Sequence, residues 1–136
     1  MPLIVAALIA GSLGYHALRG DRHDAGQCPP LRPGTNNAAA DYQDMLVWHG
    51  ATYVVDHDAS DQVGIGTQVT TVGCSIAELT RTNHQLVGPL PWPDRTATFL
   101  PSGTPVFSVQ GVRTACELAV ARDRAAVVYA SGRGGC

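Results

Sequence analysis

Cysteines at positions 28, 74, 116 and 136 and an acidic run, Asp56-His57-Asp58 with Asp61, are the residues of this chain whose types invite chemistry. Three carboxylates close together on a loop suit Ca²⁺, a hard cation that takes six to eight oxygen ligands. Asp56, Asp58 and Asp61 are therefore the candidate Ca²⁺ ligands. The calcium-loop pattern is incomplete, since a glycine at the sixth position and a glutamate at the twelfth are both missing. The preferred reading is a solvated loop at a hairpin end, where aspartate serves turn geometry, so no cofactor is expected and Ca²⁺ stays the alternative.

The cysteines contain no Cys-x-x-Cys pair and no histidine at zinc-finger distance, so a structural zinc site is not expected. A nucleophilic role for Cys116 beside His84 or His57 would need an unpaired, activated thiolate, and an even cysteine count favours disulfides instead. Ser75, Ser102, Ser108 and Ser131 lack a Gly-x-Ser-x-Gly setting. No catalytic residue is nominated. Four cysteines allow three connectivities. The preferred one is Cys74 with Cys116 and Cys28 with Cys136, joining neighbouring strands and tying together the irregular ends of the domain. Cys28–Cys74 with Cys116–Cys136 stays open, because the glycines at 132, 134 and 135 let the last residues fold back. Trp92 lies in Gly88-Pro89-Leu90-Pro91-Trp92-Pro93, a run whose prolines withhold the amide donors a strand interior needs. The preferred reading is that Trp92 covers the core edge, with a surface contact residue as the alternative.

The elements that must position these residues belong to one domain. The chain has 136 residues, 45% of them hydrophobic, and a net charge of −2. Nine arginines, no lysine and eleven acids are scattered in ones and twos, leaving no basic stripe for a phosphate backbone, so nucleic acid is not an expected partner. Residues 3–10 form a charge-free apolar run of signal-peptide length, shorter than the ~20 residues of a membrane-spanning helix. Residues 1–18 read as a signal peptide or, uncleaved, as a membrane anchor through residues 3–18. Ser12-Leu13-Gly14 offers a small-residue cleavage site, although Arg19 and Arg22 follow the apolar run where an ordinary leader has its charge in front. Export would place the cysteines where disulfides persist.

Residues 19–40, rich in Gly, Pro and Asn, read as a linker or lead-in, and residues 41–136 as a single β-rich domain. Met45 to Trp48, His49-Gly50 and Ala51 to Val55 predict a hairpin. Alternation from Val63 to Val72 predicts a strand, and Ser75 with Glu78 a capping box over a short helix at 76–82. Residues 105–109 predict another strand. Across 116–129 strand–turn–strand is preferred over a helix, with Asp123-Arg124 at the turn. The expected fold is mainly β: a small antiparallel barrel or sandwich of five or six strands with at most one short helix, stapled by disulfides. Trp48, Tyr53, Val106, Phe107, Leu118, Val120 and Val128 are the expected core, with His57 and the Asp loop exposed.

Trp48-x-Gly50-x-x-Tyr53, the Gly66-Thr67-Gln68-Val69 strand running to Gly73-Cys74, and Gly103-x-Pro105-Val106-Phe107-Ser108-Val109-x-Gly111-Val112 followed by Cys116-x-Leu118-Ala119 resemble small exported proteins of actinobacteria, many of them lipoproteins. The resemblance implies export and a β-rich fold and transfers no active site. Ala25-Gly26-Gln27 ahead of Cys28 departs from a lipidation signal, with Gln where a small residue belongs. The resulting expectation is a secreted or cell-envelope protein without catalysis, a binding or structural accessory domain whose partner is a protein or envelope component. Membrane contact is expected only through an uncleaved N-terminal segment. One alternative is a secreted protease inhibitor presenting the proline-rich loop 88–94. The other is a metal-dependent hydrolase using the Asp56, Asp58 and Asp61 loop.

Overall fold

The computed structural model describes residues 27–32, 42–59, 63–83, 86–88 and 91–136. The expected leader at 1–18 and most of the 19–40 segment lie outside them. The described chain runs β1 (Leu31–Arg32), β2 (Met45–Trp48), β3 (Ala51–Asp56), β4 (Ile65–Thr71), β5 (Cys74–Ser75), α1 (Ile76–Asn83), β6 (Leu86–Val87), β7 (Thr96–Ala97), β8 (Pro105–Val109), β9 (Glu117–Arg122) and β10 (Ala125–Ser131). Eight strands form one sheet in the order β4-β8-β9-β10-β3-β2-β7-β5, and β1 pairs with β6 apart from it. All described pairings are antiparallel except β5 with β7. The expected count of five or six strands is too low. The six longer strands are the ones expected from the sequence; two-residue β5 and β7, which complete the eight, are too short to leave a pattern in it.

The sheet curls into a half-barrel because its first and last strands are neighbours in the chain. Only Val72 and Gly73 separate β4 from β5, a span of at most about 10 Å. Arg95 bridges this closure. Its carbonyl accepts the N–H groups of Gly73 (2.8 Å) and Cys74 (3.2 Å), and its own N–H donates to Val47 O (2.7 Å). Its side chain donates from Nε to Thr71 O and from Nη2 to Thr71 Oγ1, both at 2.8 Å.

Both long hairpins follow from their turns. His49 and Gly50 have φ of 49° and 70°, and Asp123 and Arg124 have 47° and 71°, the doubly positive pattern whose twist matches that of paired strands. β9 and β10 then pair over six residues, from Ala125 opposite Arg122 to Ala130 opposite Glu117. The helix starts as its capping residues predict: Ser75 Oγ accepts the Glu78 N–H (3.4 Å), while the Glu78 carboxylate accepts the Ser102 N–H (3.4 Å). The β4–β8 pairing carries two register shifts. There Ser108 Oγ accepts the Thr67 N–H (3.0 Å) and sits where a side chain on residue 66 would begin, so this bulge needs Gly66.

Leu46, Ala51, Tyr53, Val72, Ala97, Leu100, Val106, Leu118, Val120 and Tyr129 converge on the concave side. A second cluster, Met45, Val47, Ile76, Val87 and Trp92, lies on the opposite face of β2 under α1. A third joins Val109, Ala119 and Val128. Of the expected core, Tyr53, Val106, Leu118, Val120 and Val128 are buried, whereas Trp48 and Phe107 are only half-buried. Phe107 pairs with Ala119 and shares its convex face, while its neighbour Val106 points the other way, so period-2 alternation forbids both from filling one core. Trp48 is the last residue before the hairpin turn; its ring lies at the rim of the concave cluster, 4.0 Å from the His49 ring and 6.5 Å from Tyr53.

Tyr129 is fully buried and donates its hydroxyl to Asp44 Oδ1 (3.0 Å), tying the last strand to the entrance of the first hairpin. Burial and the Asp44 carboxylate push its ionisation well above the ordinary value of 10.0. Above pH 10 the unfolded chain therefore loses a proton that the folded chain keeps, and stability falls as pH rises. Tyr129→Phe should cost about 1.5–3 kcal/mol at neutral pH through the lost bond to a charged acceptor and should flatten the decline in stability above pH 10. Urea unfolding at pH 7, 9, 10 and 11 checks both effects.

Candidate functional site

The structure pairs Cys28 with Cys74 and Cys116 with Cys136. The preferred pairing, Cys74 with Cys116 and Cys28 with Cys136, is overturned. Cys74 is in β5 at one edge of the sheet and Cys116 leads into β9, an inner strand with β10, β3, β2 and β7 between it and β5, so the two are not strand neighbours. Each bridge instead fastens an irregular segment to the sheet. Cys28 holds the stretch that pairs through Leu31 and Arg32 with Val87 and Leu86. Cys136 brings the 132–136 segment back beside β9 and β10. The loops closed span 46 and 20 positions, worth about 4 and 3 kcal/mol in the chain-entropy model.

Trp92 is not a surface contact residue. It is 4% exposed, stands edge-on to Tyr42 with ring centroids 4.8 Å apart, and donates its indole N–H to Gly88 O (2.9 Å). Gly88 in turn donates to Pro30 O (2.8 Å), so the segment is lodged between the lead-in strand and the sheet. The prolines do make this stretch irregular, but the large apolar ring turns into the second cluster rather than outward. Pro89 and Leu90 of the 88–94 loop lie outside the described residues.

In the acidic loop, Asp56 Oδ1 accepts the N–H groups of Asp58 and Ala59, both at 3.1 Å, which is the turn role available to an aspartate at a strand end. His57 and Asp58 are exposed, and Asp61 lies outside the described residues, as does His84. Among the described residues no group of three or more His, Cys, Asp or Glu side chains is placed to hold a metal ion.

Near the His49-Gly50 turn lie polar groups of which the sequence marked only Tyr53, and that as core. Tyr53 donates its hydroxyl to Thr114 O (2.8 Å), Asp94 Oδ1 accepts the Gly50 N–H (2.9 Å), and Arg133 Nη2 reaches His49 O (3.4 Å). Burial raises the Tyr53 ionisation; the Arg133 charge acts against this and the Asp94 charge with it, and the net direction is upward. Beside this cluster an open pocket of about 510 Å³ is lined by Arg113, Cys116, Glu117, Ser131, Gly135 and Cys136, among others. Arg113 donates from Nη2 to Gly135 O and lies 3.6 Å from Cys116 Sγ. Ser131 donates its hydroxyl to Ala115 O and its N–H accompanies β10 onto Cys116 O (2.8 Å). Arg113 and Arg133 gave no signal in the sequence, because an isolated arginine carries no pattern. Comparison with family models, with curated proteins and with solved structures finds no match.

Emptying the Trp92 site should destabilise the fold by about 3–5 kcal/mol in Trp92→Ala, the range for a buried aromatic ring. Trp92→Phe, which keeps one aromatic ring in the site and loses the second ring and the bond to Gly88, should cost less than Trp92→Ala. Denaturant unfolding of both variants is the check, and a near-neutral Trp92→Ala would return Trp92 to the surface.

Proposed function

We propose that this chain is an exported, non-catalytic domain of the cell envelope that serves as a binding or structural accessory module. The observation that carries this reading is that all four cysteines are paired, with no free thiol. Two disulfides suit an oxidising, extracytoplasmic environment and would not persist among cytosolic thiols. The apolar run at residues 3–10 supports the same address, and among the described residues no helix is long and apolar enough to cross a membrane. The disulfides fasten the lead-in and the last residues to a curled sheet, which suits a small rigid body presented outside the cell. Its partner on this reading is a protein or another envelope component.

The inhibitor alternative requires the 88–94 loop to enter a protease cleft, and the burial of Trp92 leaves less of that loop to present. The hydrolase alternative requires the Asp56 carboxylate as a metal ligand, where the described geometry engages one of its oxygens in turn bonds.

The reading is tested by fusing a reporter enzyme that works only outside the cytoplasm to the end of the full chain and of a version lacking residues 1–18. Reporter activity with the full chain, and its loss on deletion, is expected. Cytoplasmic retention of both fusions, with the cysteines recovered reduced, would contradict it.

A further inference from the structure

We propose that the Cys116–Cys136 disulfide is an exchange site for dithiols, opened by attack on Cys136, while Cys28–Cys74 is a fixed staple. Three observations converge on this bond. Cys136 is exposed and, with Cys116, lines the open 510 Å³ pocket, which gives an attacking thiolate a route to the sulfur. Cys116 is buried, and the guanidinium of Arg113 lies 3.6 Å from its Sγ. A cation at that distance stabilises the thiolate that exchange would release, and the thiol with the lower pKa leaves faster. The bond is also separable from the core. It closes the shorter loop, and the 132–136 segment is otherwise attached by single contacts, among them Arg113 to Gly135 O and Arg133 to His49 O. The six-residue β9–β10 pairing lies between the two cysteines in sequence and is held by its own ladder and the Asp123-Arg124 turn.

The other disulfide differs on the leaving side. Attack on exposed Cys28 would release a thiolate at Cys74, in the edge strand; burial penalises the charge at Cys74 and Cys116 alike, and at Cys116 the Arg113 guanidinium 3.6 Å away offsets it.

The exchange balances as follows. A thiolate of the dithiol attacks Cys136 Sγ, the Cys136–Cys116 bond breaks, and its electron pair leaves on Cys116 Sγ beside Arg113. The second thiol of the same dithiol then attacks its own sulfur in the mixed disulfide and releases Cys136. The dithiol is oxidised by two electrons to a disulfide, the protein disulfide is reduced by two electrons to two thiols, and protons pass through solvent. The matching partner is a dithiol, on a small molecule or on a thiol oxidoreductase.

The experiment uses the oxidised full chain, first with glutathione and then with dithiothreitol, each trapped by alkylation and read by peptide mass. Glutathione should form its adduct on Cys136, leaving Cys116 as the alkylated thiol. Dithiothreitol should open Cys116–Cys136 at least ~10-fold faster than Cys28–Cys74, and Arg113→Gln should slow that opening by about threefold through a higher leaving-group pKa. An adduct mainly on Cys116, equal or reversed opening rates, or an Arg113→Gln rate equal to wild type would overturn the proposal. The glutathione mapping needs no variant, so it decides the attacked sulfur even if Arg113→Gln folds poorly.

Discussion

The closure at Arg95 is the constraint on which the rest of the molecule depends. A sheet whose two edge strands are joined by two residues must bring those edges together, and Arg95 makes the bonds that do so. The residue adopts φ of 68°, a left-handed conformation that costs a bulky side chain about 1 kcal/mol or more. That conformation aims its carbonyl at Gly73 and Cys74 while its N–H stays on β2 and its guanidinium reaches Thr71. Satisfied backbone groups at the seam offset the local strain, since each buried and unpaired one would cost about 1–3 kcal/mol. Once the edges meet, the concave face is shielded from water and can bury two tyrosines and a set of aliphatic residues.

The convex side is closed by different means. Helix α1 starts directly after β5, so the closure also fixes where Ile76 enters the second cluster. Trp92 arrives there from the segment that leads into Arg95 and is covered by Tyr42, within a cluster that also meets Leu31. Cys28–Cys74 locks this cover to the residue next to the seam. The two disulfides thus act at different places in the sheet order, Cys28–Cys74 on the edge strand β5 over a packed cluster and Cys116–Cys136 beside the inner strands β9 and β10 at an open pocket. That asymmetry is the physical basis for assigning them different roles.

Much of the sheet was legible in the sequence. The turns at His49-Gly50 and Asp123-Arg124, the strand at β9 and the Ser75 cap each rest on local rules that the structure obeys, while β4 forms where alternation marked it but two register shifts break its alternating burial. What the sequence concealed is non-local. The disulfide pairing depends on strand order, and nothing local shows that β4 and β5 close the two ends of one sheet. The choice between core cover and surface contact for Trp92 stayed open because prolines define the irregularity of a loop and say nothing of the direction in which its ring points; its burial favours the cover. The chemistry at the Cys116–Cys136 bond was equally hidden, since Arg113 gains meaning only from its place beside Cys116 Sγ.

The most direct test of the seam is amide hydrogen exchange in Arg95→Gly. Glycine tolerates the positive φ, so the substitution relieves local strain while deleting the guanidinium bonds to Thr71. If those bonds hold the edges together, the amides from Thr71 to Cys74 should exchange at least ~10-fold faster than in the native chain, while the β9–β10 amides keep their protection. Unchanged exchange at Thr71 to Cys74, or a uniform rise across every strand, would contradict the claim that Arg95 closes the half-barrel.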